Sequence, residues 1–496
     1  MKGKIFKIKN MDDELVLPIT TTEAVYSEDG KTLNDEINDI NSSLDNMEDE
    51  VDDINSSLDN KASKLNNINF VNVVEYGLNN NGEDCTLILK ELLNKYDKLY
   101  FPNGTYCISN VIEIKNKVVI GESNTIIKTI DQKDASEWTL LFSGKNIVEN
   151  IKFLQDHNNS LLSLKNCTNN IFRNCSFTVN NKFTNGYVDL YTNNNNITFD
   201  NCYFKCESTT VGGIWVREVE SSKKTEFIYF KNCVIEHSSQ DECLAIFNWN
   251  GKVENVFISN CVFTELSTSI APHFISLDTH NIFMNNCNIT RNYSNGNSVI
   301  KSEVGKAIVS NTHIKANSFC DNGIINGYMI LDNCIIENSV RCMLCIRSNP
   351  IIKNSKIIVD SLQQTRNIEL INTTITQTNN DKPSEGMFMC PVKLRGVIFD
   401  GVYANFLVRS YSADDSGLII IENCKTLRNC SINFIVKGEY NSTCKIAITN
   451  STLTGQLENL ENSSGYVINN IFNYSTINSY DGIKNLNNIL STKSEE

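Results

Sequence analysis

Residues 172–177 read Phe172-Arg-Asn-Cys175-Ser-Phe177, and this unit, an Asn-Cys pair between alternating apolar residues, returns at regular intervals along the chain. Asn tolerates the left-handed backbone conformation that a tight corner requires, and stacked Asn amides can form hydrogen bonds along a common axis. The units lie 18 to 31 residues apart, which is typical of stacked repeats. The sequence therefore predicts an all-β solenoid with Asn at its corners. The Cys of the unit recurs as Cys202, Cys233, Cys261, Cys287 and Cys334, and Thr or Ser replaces it at Thr312, Ser355, Thr373 and Ser451.

The amino-acid composition agrees with a fold that contains little helix. Asn accounts for 74 of the 496 residues, and Asn is a poor helix former and a good turn former. Hydrophobic residues make up 41% of the chain, which is enough to build a sizeable core.

The cysteines are predicted to be buried thiols. Nine of the 18 directly follow an Asn, and strand alternation points them to the same side as their apolar neighbours, where a thiol acts as a small hydrophobe. Zinc ligation and disulfides are the alternatives, but Cys342-Met-Leu-Cys345 is an isolated CxxC and the chain has five histidines. We expect neither a metal site nor a cofactor.

The charge is concentrated near the N-terminus. The net charge is -14, and residues 28–59 carry twelve acids and one base, Lys31, which leaves about -3 for the rest. A nearly neutral body gives no electrostatic reason to bind nucleic acid or an anionic membrane. The chain has no apolar run of the length that spans a bilayer, and its basic start lacks the apolar core of a signal peptide. We therefore predict folding in a cytosol, with reduced thiols.

Residues 33–66 carry heptads that predict a parallel coiled coil. Asp39–Asn46 recurs as Asp53–Asn60, two heptads later. Leu at position a with Ile at position d favours trimers or tetramers, so we expect a homotrimer. The alternative is one amphipathic helix that packs on the body. The apolar positions, spaced alternately by four and three, are Leu33, Ile37, Ile40, Leu44, Met47, Val51, Ile54 and Leu58.

Residues 1–32 are predicted to form a small separate head. The segment from Ile19 to Leu33 contains Thr-Thr-x-Ala-Val followed by Asp-Gly-x-Thr-Leu and runs directly into the heptads. It resembles the N-terminal attachment segment of baseplate and tail proteins from phages of Gram-positive bacteria. The resemblance implies attachment to a phage baseplate or tail, and hence a virion protein that is assembled in the host cytoplasm.

Residues 67–125 resemble the opening of the pectate-lyase-like superfamily of right-handed parallel β-helices. The matching features are a strand ending at Tyr76-Gly77, the loop Asn81-Gly-Glu-Asp84, a helical stretch Leu87–Leu93, and Phe101-Pro-Asn-Gly-Thr-Tyr106. The resemblance implies that the helix caps the open end of the solenoid. It also implies a right-handed parallel β-helix over residues 126–480, before a polar C-terminal tail at 481–496.

One outer face of this β-helix is a candidate ligand surface. If Ile214 and Val216 point inward, Trp215 and Arg217 point outward, and the same parity exposes residues in the neighbouring coils. Aromatic rings beside charged groups suit a sugar chain, although the tryptophans could instead pack under loops or against another subunit. The substrate-binding candidates are Trp215, Arg217, Trp249, Asp278, His280 and Glu303. The same parity also exposes Phe247, Lys301 and Arg347.

Asp241-Glu-Cys-Leu-Ala-Ile246 resembles the DDCIAI segment of polygalacturonase-type glycoside hydrolases. His273, within Pro-His-Phe, stands where that family has GHG, and Lys301 matches the last residue of its RIK. The resemblance implies catalytic roles for Asp241 and Glu242, with His273 and Lys301 in support.

The carry-over from the hydrolases is partial. Their upstream NTD aspartate has no counterpart before Gly213, and Val299 replaces the arginine of RIK. Inverting hydrolysis needs an acid and a base about 6.5–9.5 Å apart, so these losses put that mechanism in doubt. The alternative is that Asp241 and Glu242 form a solvated acidic loop.

These observations together predict a trimeric phage tail spike that binds host cell-surface polysaccharide. The sequence leaves open whether the protein also cleaves the polysaccharide, as a hydrolase or a lyase. The alternatives are a non-catalytic adhesin on the same scaffold and, less favoured, a free bacterial polysaccharide-degrading enzyme.

Overall fold

The computed structural model describes residues 8–9, 15–16 and 70–491, apart from the segments 131–137, 156–159, 180–186, 208–212, 239–241, 249, 267–272, 293–297, 319, 321–322, 343–349, 363–364, 379–385, 409–417, 428–429, 437–443, 455–456, 459–462 and 474–482. The chain divides into two units, Met1–Phe70 and Val71–Glu496.

Three parallel sheets run along the second unit, and the chain passes from the first to the second to the third in each complete coil. Strands from successive coils pair directly with one another, so side chains at equivalent positions form straight rows along the axis. The all-β solenoid predicted from the spacing of the Asn-Cys units is confirmed.

The bounds of the strands are as follows, and five long strands run through both the first and the second sheet. The first sheet contains Ile112–Lys115, Trp138–Gly144, Ser160–Arg173, Val188–Thr192, Ile214–Glu218, Leu244–Asn248, Ile275–Asp278, Ile300–Ser310, Ile325–Asp332, Thr365–Ile371, Gly386–Arg395, Tyr403–Val408, Ser431–Val436 and Leu457–Glu458. The second sheet shares the five long strands and adds Val71–Asn72, Lys98–Phe101, Val118–Gly121, Ile147–Glu149, Asn195–Asp200, Lys224–Lys231, Lys252–Ser259, His280–Asn285, Ile351–Lys353, Leu418–Glu422, Cys444–Thr449, Ser463–Ile468 and Ile483–Leu486. The third sheet contains Asn81–Asp84, Gly104–Ile108, Thr125–Thr129, Lys152–Gln155, Ser176–Val179, Tyr203–Cys206, Val234–His237, Val262–Glu265, Asn288–Arg291, His313–Ala316, Ile335–Cys342, Lys356–Leu362, Thr374–Gln377, Ile398–Asp400, Lys425–Leu427, Thr452–Thr454, Ile471–Asn473 and Ile489–Ser491.

The corner between the second and third sheets is built by the Asn residues of the repeat. Asn201, Asn232 and Asn260 have φ of 51°, 54° and 54°. The Asn260 Nδ2 donates to Asn232 Oδ1 at 3.2 Å, and Asn286 Nδ2 donates to Asn260 Oδ1 at 2.7 Å. Asn232 instead donates to Asp200 Oδ1 at 3.2 Å. The amide ladder inferred from the sequence is therefore present, and aspartates replace two of its acceptors, since Asn354 Nδ2 likewise donates to Asp332 Oδ1 at 2.8 Å.

The thiols that follow these corners point inward. Cys202, Cys233 and Cys261 are at most 2% exposed. Their Sγ atoms lie 3.3, 3.4 and 3.4 Å from the carbonyl oxygens of Phe172, Phe199 and Phe230, to which the thiols donate. Fourteen cysteines are described in full; all are buried, and none of these fourteen forms a disulfide. Burial raises the pKa of Cys202 and Cys233 well above that of an ordinary thiol, so these groups stay protonated and inert.

Phenylalanine rings fill the interior between the sheets. Phe172, Phe199 and Phe230 stack in successive coils with centroids 5.0 and 5.2 Å apart. Each ring is at most 1% exposed. Burying a side chain of this size contributes roughly 1.5–3 kcal/mol relative to leaving it in water.

A helix covers the N-terminal end of this core, as predicted. It spans Thr86–Lys95 and buries Leu89, Leu92 and Leu93. A short 3₁₀ helix, Val73–Tyr76, precedes it and ends at Gly77 with φ of 90°. Within the described residues, no helix combines the length and apolar character that a membrane-crossing segment requires.

The N-terminal predictions lie almost wholly outside the described residues. In the head, only Ile8–Lys9 and Leu15–Val16 are described, and they form an antiparallel pair. The coiled coil at 33–66 lies outside the description and stays a prediction. At the other end, paired strands continue to Ser491, beyond the predicted boundary at residue 480.

We expect the corner Asn residues to contribute to stability through both their backbone conformation and their amide groups. In Asn260→Ala, an alanine must adopt the left-handed conformation, which costs about 1–2 kcal/mol of stability for a residue with a β-carbon and no polar side chain. The substitution also removes two hydrogen bonds worth about 1 kcal/mol each. Asn260→Gly removes only the hydrogen bonds, and Gly396 already occupies the equivalent corner with φ of 60°. Urea titration should therefore rank the stabilities as wild type, then Gly, then Ala. Equal midpoints for the two variants would show that the left-handed corner is not a constraint.

Candidate functional site

The outer face of the first sheet follows the predicted parity in the coil around Trp215. Ile214 and Val216 are fully buried, and Trp215 between them is half-buried on the opposite side. Strand pairing places Trp215 level with Asp189 in the preceding coil and with Ala245 in the following coil.

Arg217 points outward but is not exposed, so the exposure predicted for this side chain is wrong. Its residue is 5% exposed, because Nε and Nη2 donate to the two carboxylate oxygens of Asp189 at 3.0 and 2.6 Å. The guanidinium also lies 4.9 Å from the ring centroids of both Tyr191 and Trp215. A bidentate pair of this kind fixes the geometry, and the cation–π contacts hold the rings. Arg217 therefore supports the aromatic surface instead of presenting a free cation.

Trp215 and Phe247 form the aromatic part of this face. Their ring centroids are 6.2 Å apart and their planes meet at 75°. Both side chains are half-buried, and an edge-to-face pair leaves ring surface available to a ligand. Such a surface suits the apolar face of a sugar ring.

Polar groups continue the face in the next two coils. Asp278 lies level with Phe247. Its Oδ2 accepts a hydrogen bond from Ser276 Oγ at 2.9 Å and pairs with Lys301 Nζ at 3.2 Å. The side chains of Asp278 and Lys301 are 17% and 18% exposed, so the pair remains within reach of a ligand.

Glu242 and His273 lie just before the first-sheet strands of their coils. Cys243 N donates to Phe274 O at 2.8 Å, which places the preceding residues, Glu242 and His273, level with each other. The Nδ1 atom of His273 is 2.8 Å from Ser298 Oγ. Burial lowers the pKa of His273 to about 4, and the Lys301 charge acts in the same direction, against the opposite effect of Asp278. His273 is therefore neutral at pH 7 and acts as a hydrogen-bonding group.

Arg291 lies behind this site, inside the solenoid, and the sequence analysis missed it. Its Nη1 donates to Ser298 O at 2.5 Å, and its Nε lies 3.8 Å from Glu265 Oε1, with both side chains fully buried. The alternation of inward and outward residues along the strand predicts that Arg291 points inward, because it lies two residues after the buried Ile289. Arg291 thus holds the backbone of the residue whose hydroxyl contacts His273.

Several predicted site residues cannot be placed with these groups. Asp241, Trp249 and Arg347 lie outside the described residues, as do the side chains of His280 and Glu303. The backbone corrects one expectation. His280 begins a strand of the second sheet, level with Glu254, so the chain has turned a corner and His280 does not share the face of Asp278.

The described groups place an aromatic surface beside titratable side chains in adjoining coils. The aromatic part is Trp215 with Phe247, and the titratable part is Glu242, His273, Asp278 and Lys301. The described part of the chain holds no cluster of side chains with the composition of a metal site.

Comparison with known families gives one match. The family described as rhamnogalacturonase A/epimerase, pectate lyase-like, matches residues 70–325, just over half of the chain. Among curated proteins, no relative matches the chain.

Solved structures with similar folds come from viruses and from bacteria, all at low identity. ORF18 of Geobacillus virus E2 is 17% identical with a TM-score of 0.43, and the alignment covers 65% of this chain. This chain spans 62% of the length of that structure. The N-terminal fragment of gene product 12 from bacteriophage phi29 is 12% identical, with a TM-score of 0.41 and coverage of 88% of this chain and 96% of that one. The tailspike gp61 of Pseudomonas phage phi297 is 10% identical, with a TM-score of 0.35 and coverage of 81% and 80%.

The depressed pKa of His273 predicts a specific loss of stability in acid. Between its folded pKa of about 4 and the unfolded value of about 6.5, the unfolded chain binds more protons than the folded chain. Stability therefore falls as the pH is lowered through this window. His273→Gln removes this contribution, so urea midpoints measured at pH 7 and pH 4.5 should differ less in the variant than in wild type. An unchanged pH dependence would mean that His273 titrates normally.

Proposed function

The chain belongs to the pectate-lyase-like rhamnogalacturonase A/epimerase family, and on that premise we propose that it binds a polysaccharide along the outer face of its first sheet. The observation that carries the proposal is the half-buried Trp215–Phe247 pair, in which the Trp215 ring lies against the guanidinium of the buried Arg217–Asp189 ion pair. A fixed aromatic surface stacks on a sugar ring without losing side-chain entropy on binding.

The arrangement in coils favours a chain-like ligand over a small molecule. Stacked coils repeat their outward positions along the axis, so an extended ligand meets one group after another. Trp215, Phe247, Asp278 and Lys301 occupy four consecutive coils. A polysaccharide that lies along the axis would contact the aromatic pair first and the Asp278–Lys301 pair next.

We infer that the biological role is host recognition by a phage tail spike. The support comes from the sequence, where residues 1–32 resemble a phage attachment segment and residues 33–66 carry the heptads of a trimer. In this proposal the head joins the chain to a baseplate or tail, three copies assemble, and the β-helix binds host cell-surface polysaccharide. The protein would then be part of the virion.

Cleavage of the bound polysaccharide is the second candidate function. It is favoured by Glu242, His273 and Lys301, which match a glycoside-hydrolase pattern in three successive coils, and by the family description, which names carbohydrate-active enzymes. The proposed roles are acid and base for Asp241 and Glu242, and substrate orientation for the neutral His273 and for Lys301. A purely adhesive protein would use the same face without turnover.

We expect Trp215→Ala to weaken polysaccharide binding roughly tenfold, the effect of losing about 1.4 kcal/mol of stacking energy. Affinity electrophoresis with polygalacturonate, rhamnogalacturonan and cell-wall glycans from Gram-positive bacteria measures this change. The matched control is Tyr203→Ala, which removes a half-buried aromatic ring from the third sheet and should leave binding intact. If the two variants bind alike, the aromatic pair is not the ligand surface.

We expect Asp241→Asn and Glu242→Gln to abolish sugar release while binding persists, if the protein is an enzyme. Incubation with the same glycans should be assayed for reducing ends, which hydrolysis produces, and for unsaturated sugars, which a lyase produces. Release that is equal in wild type and both variants would remove these carboxylates from the mechanism. No release by a wild-type protein that binds the glycan would leave the adhesin as the function.

A further inference from the structure

A straight row of apolar side chains runs along the outer surface of the second sheet. The register of strand pairs joins ten coils in this row. Nine of the ten side chains are apolar, and all but the buried Ile330 are half-buried. The apolar row consists of Val118, Ile147, Ile171, Thr198, Tyr229, Phe257, Phe283, Ile308, Ile330 and Ile351.

The other two outer faces are more polar at equivalent positions. On the first sheet, the row through Trp215 runs Leu141, Ser163, Asp189, Trp215, Ala245, Ser276, Lys301 and Asn326. On the third sheet, the row through Tyr203 runs Lys152, Ser176, Tyr203, Val234, Val262, Asn288 and His313. The apolar row is therefore a property of one face, and a continuous apolar patch of this extent marks an interaction surface.

The aromatic members of the row are oriented for packing and poorly oriented for sugar stacking. Tyr229 and Phe257 stack with centroids 5.1 Å apart and planes at 13°, and Phe257 and Phe283 at 5.3 Å and 8°. The ring faces cover one another along the axis, so the ring edges point outward. A sugar stacks on ring faces, whereas a ridge of edges packs between the apolar side chains of a protein partner.

Phe227 adds a strained apolar residue beside this ridge. It has φ of 55°, and the same position in the coils before and after holds Asn196 and Asn255, with φ of 56° and 57°. The left-handed conformation is unusual for a bulky residue, and such an outlier points to a function. Phe227 is half-buried, two residues from Tyr229, where it widens the apolar surface.

We propose that the apolar row is the face by which copies of this chain pack side by side in parallel. Ten coils are separated by nine spacings of about 4.8 Å, which give a straight row about 43 Å long. A globular partner would touch such a row at one place, but a second copy matches its length and its period. With the flanking rows, the surface measures roughly 800 Å² per chain, the size of a standard interface. The heptads in residues 33–66, a separate observation, predict parallel copies of the same chain.

The charges on either side of the row permit like surfaces to meet. On one side, Glu149, Arg173 and Asp200 alternate in sign, and Arg173 lies 3.0 and 3.7 Å from its two neighbours. On the other side, Lys224 bridges Glu226 and Glu254 at 2.5 and 3.1 Å. Each of these ion-pair groups joins one cation to two carboxylates, so pairing within the chain offsets much of the charge and leaves one carboxylate in excess on each flank. Two copies therefore bring few like charges together, and each unpaired like-charge contact would cost several kcal/mol.

The test is site-specific cross-linking of the full chain. Phe257→Cys and Ile171→Cys place thiols at two points in the row, and Thr264→Cys places one on the third sheet of the coil that contains Phe257. The fourteen native thiols described in full are buried, so a short bis-maleimide should react chiefly at the new sites, with wild type as the background. Circular dichroism verifies that each variant folds, and two row positions guard against one that does not.

We expect covalent dimers from the row variants at least fivefold above both Thr264→Cys and wild type on a denaturing gel, since one added thiol per chain lets a two-armed reagent join two chains. Cross-linking no greater at positions 257 and 171 than at 264 would overturn the proposal, and so would sedimentation of the wild-type chain as a monomer. A row covered by residues 1–70 of the same chain would likewise give no covalent dimers. The result is independent of the proposed function, because loss of glycan binding in Trp215→Ala has no bearing on these cross-links.

Discussion

The Asn amide ladder is the interaction on which the rest of the structure depends. Each corner between the second and third sheets needs a left-handed residue, and Asn supplies that conformation together with a donor and an acceptor for the coils on either side. Asn260 shows both roles, since it donates to Asn232 and accepts from Asn286. Such hydrogen bonds tie neighbouring corners together, although Gly396 occupies one corner without a side-chain amide. Where the corners are tied, the strands on either side stay in register, and outward side chains form straight rows. The proposed ligand surface and the apolar row both follow from that register.

The outer faces of the first and second sheets have different chemistry. Each coil contributes one outward residue to a row, and these residues differ between the two sheets. On the first sheet, the ion pair of Arg217 and Asp189 keeps Trp215 fixed, and charged groups follow in the next coils. On the second sheet, the stacked rings of Tyr229, Phe257 and Phe283 form a ridge. One face therefore suits a polar, extended ligand and the other an apolar protein surface. A single scaffold can hold both without conflict because they lie on different sides of the coil.

The repeat was predictable from the sequence because its signal is local. An Asn, a small inward residue and alternating apolar neighbours all fall within six positions, as in Phe172–Phe177, and their spacing gives the coil length. The capping helix at Thr86–Lys95 was also predictable, because its order of motifs resembles a known opening.

The details of the site were less predictable because they depend on pairing between coils. The outward direction predicted for the Arg217 side chain was correct. Its burial, however, depends on the ion pair with Asp189, which lies 28 residues earlier. His280 was misplaced because Thr279, which is fully buried, lies at a corner that the alternation does not reveal. The apolar row contributes one residue per coil, so it cannot be seen without the register. Strand parity could have placed Arg291 inside, but its buried partner Glu265 lies in the preceding coil and becomes a neighbour only when the coils stack.

The most direct test of this architecture is the accessibility of its thiols, measured by maleimide labelling and mass spectrometry in native buffer and in urea. Cys202, Cys233 and Cys261 should remain unlabelled in the native protein over the time in which glutathione reacts fully, and all three should label on unfolding. Native labelling at a rate near that of glutathione would place the sulfur atoms in solvent, and would contradict both the inward corner and every face derived from it.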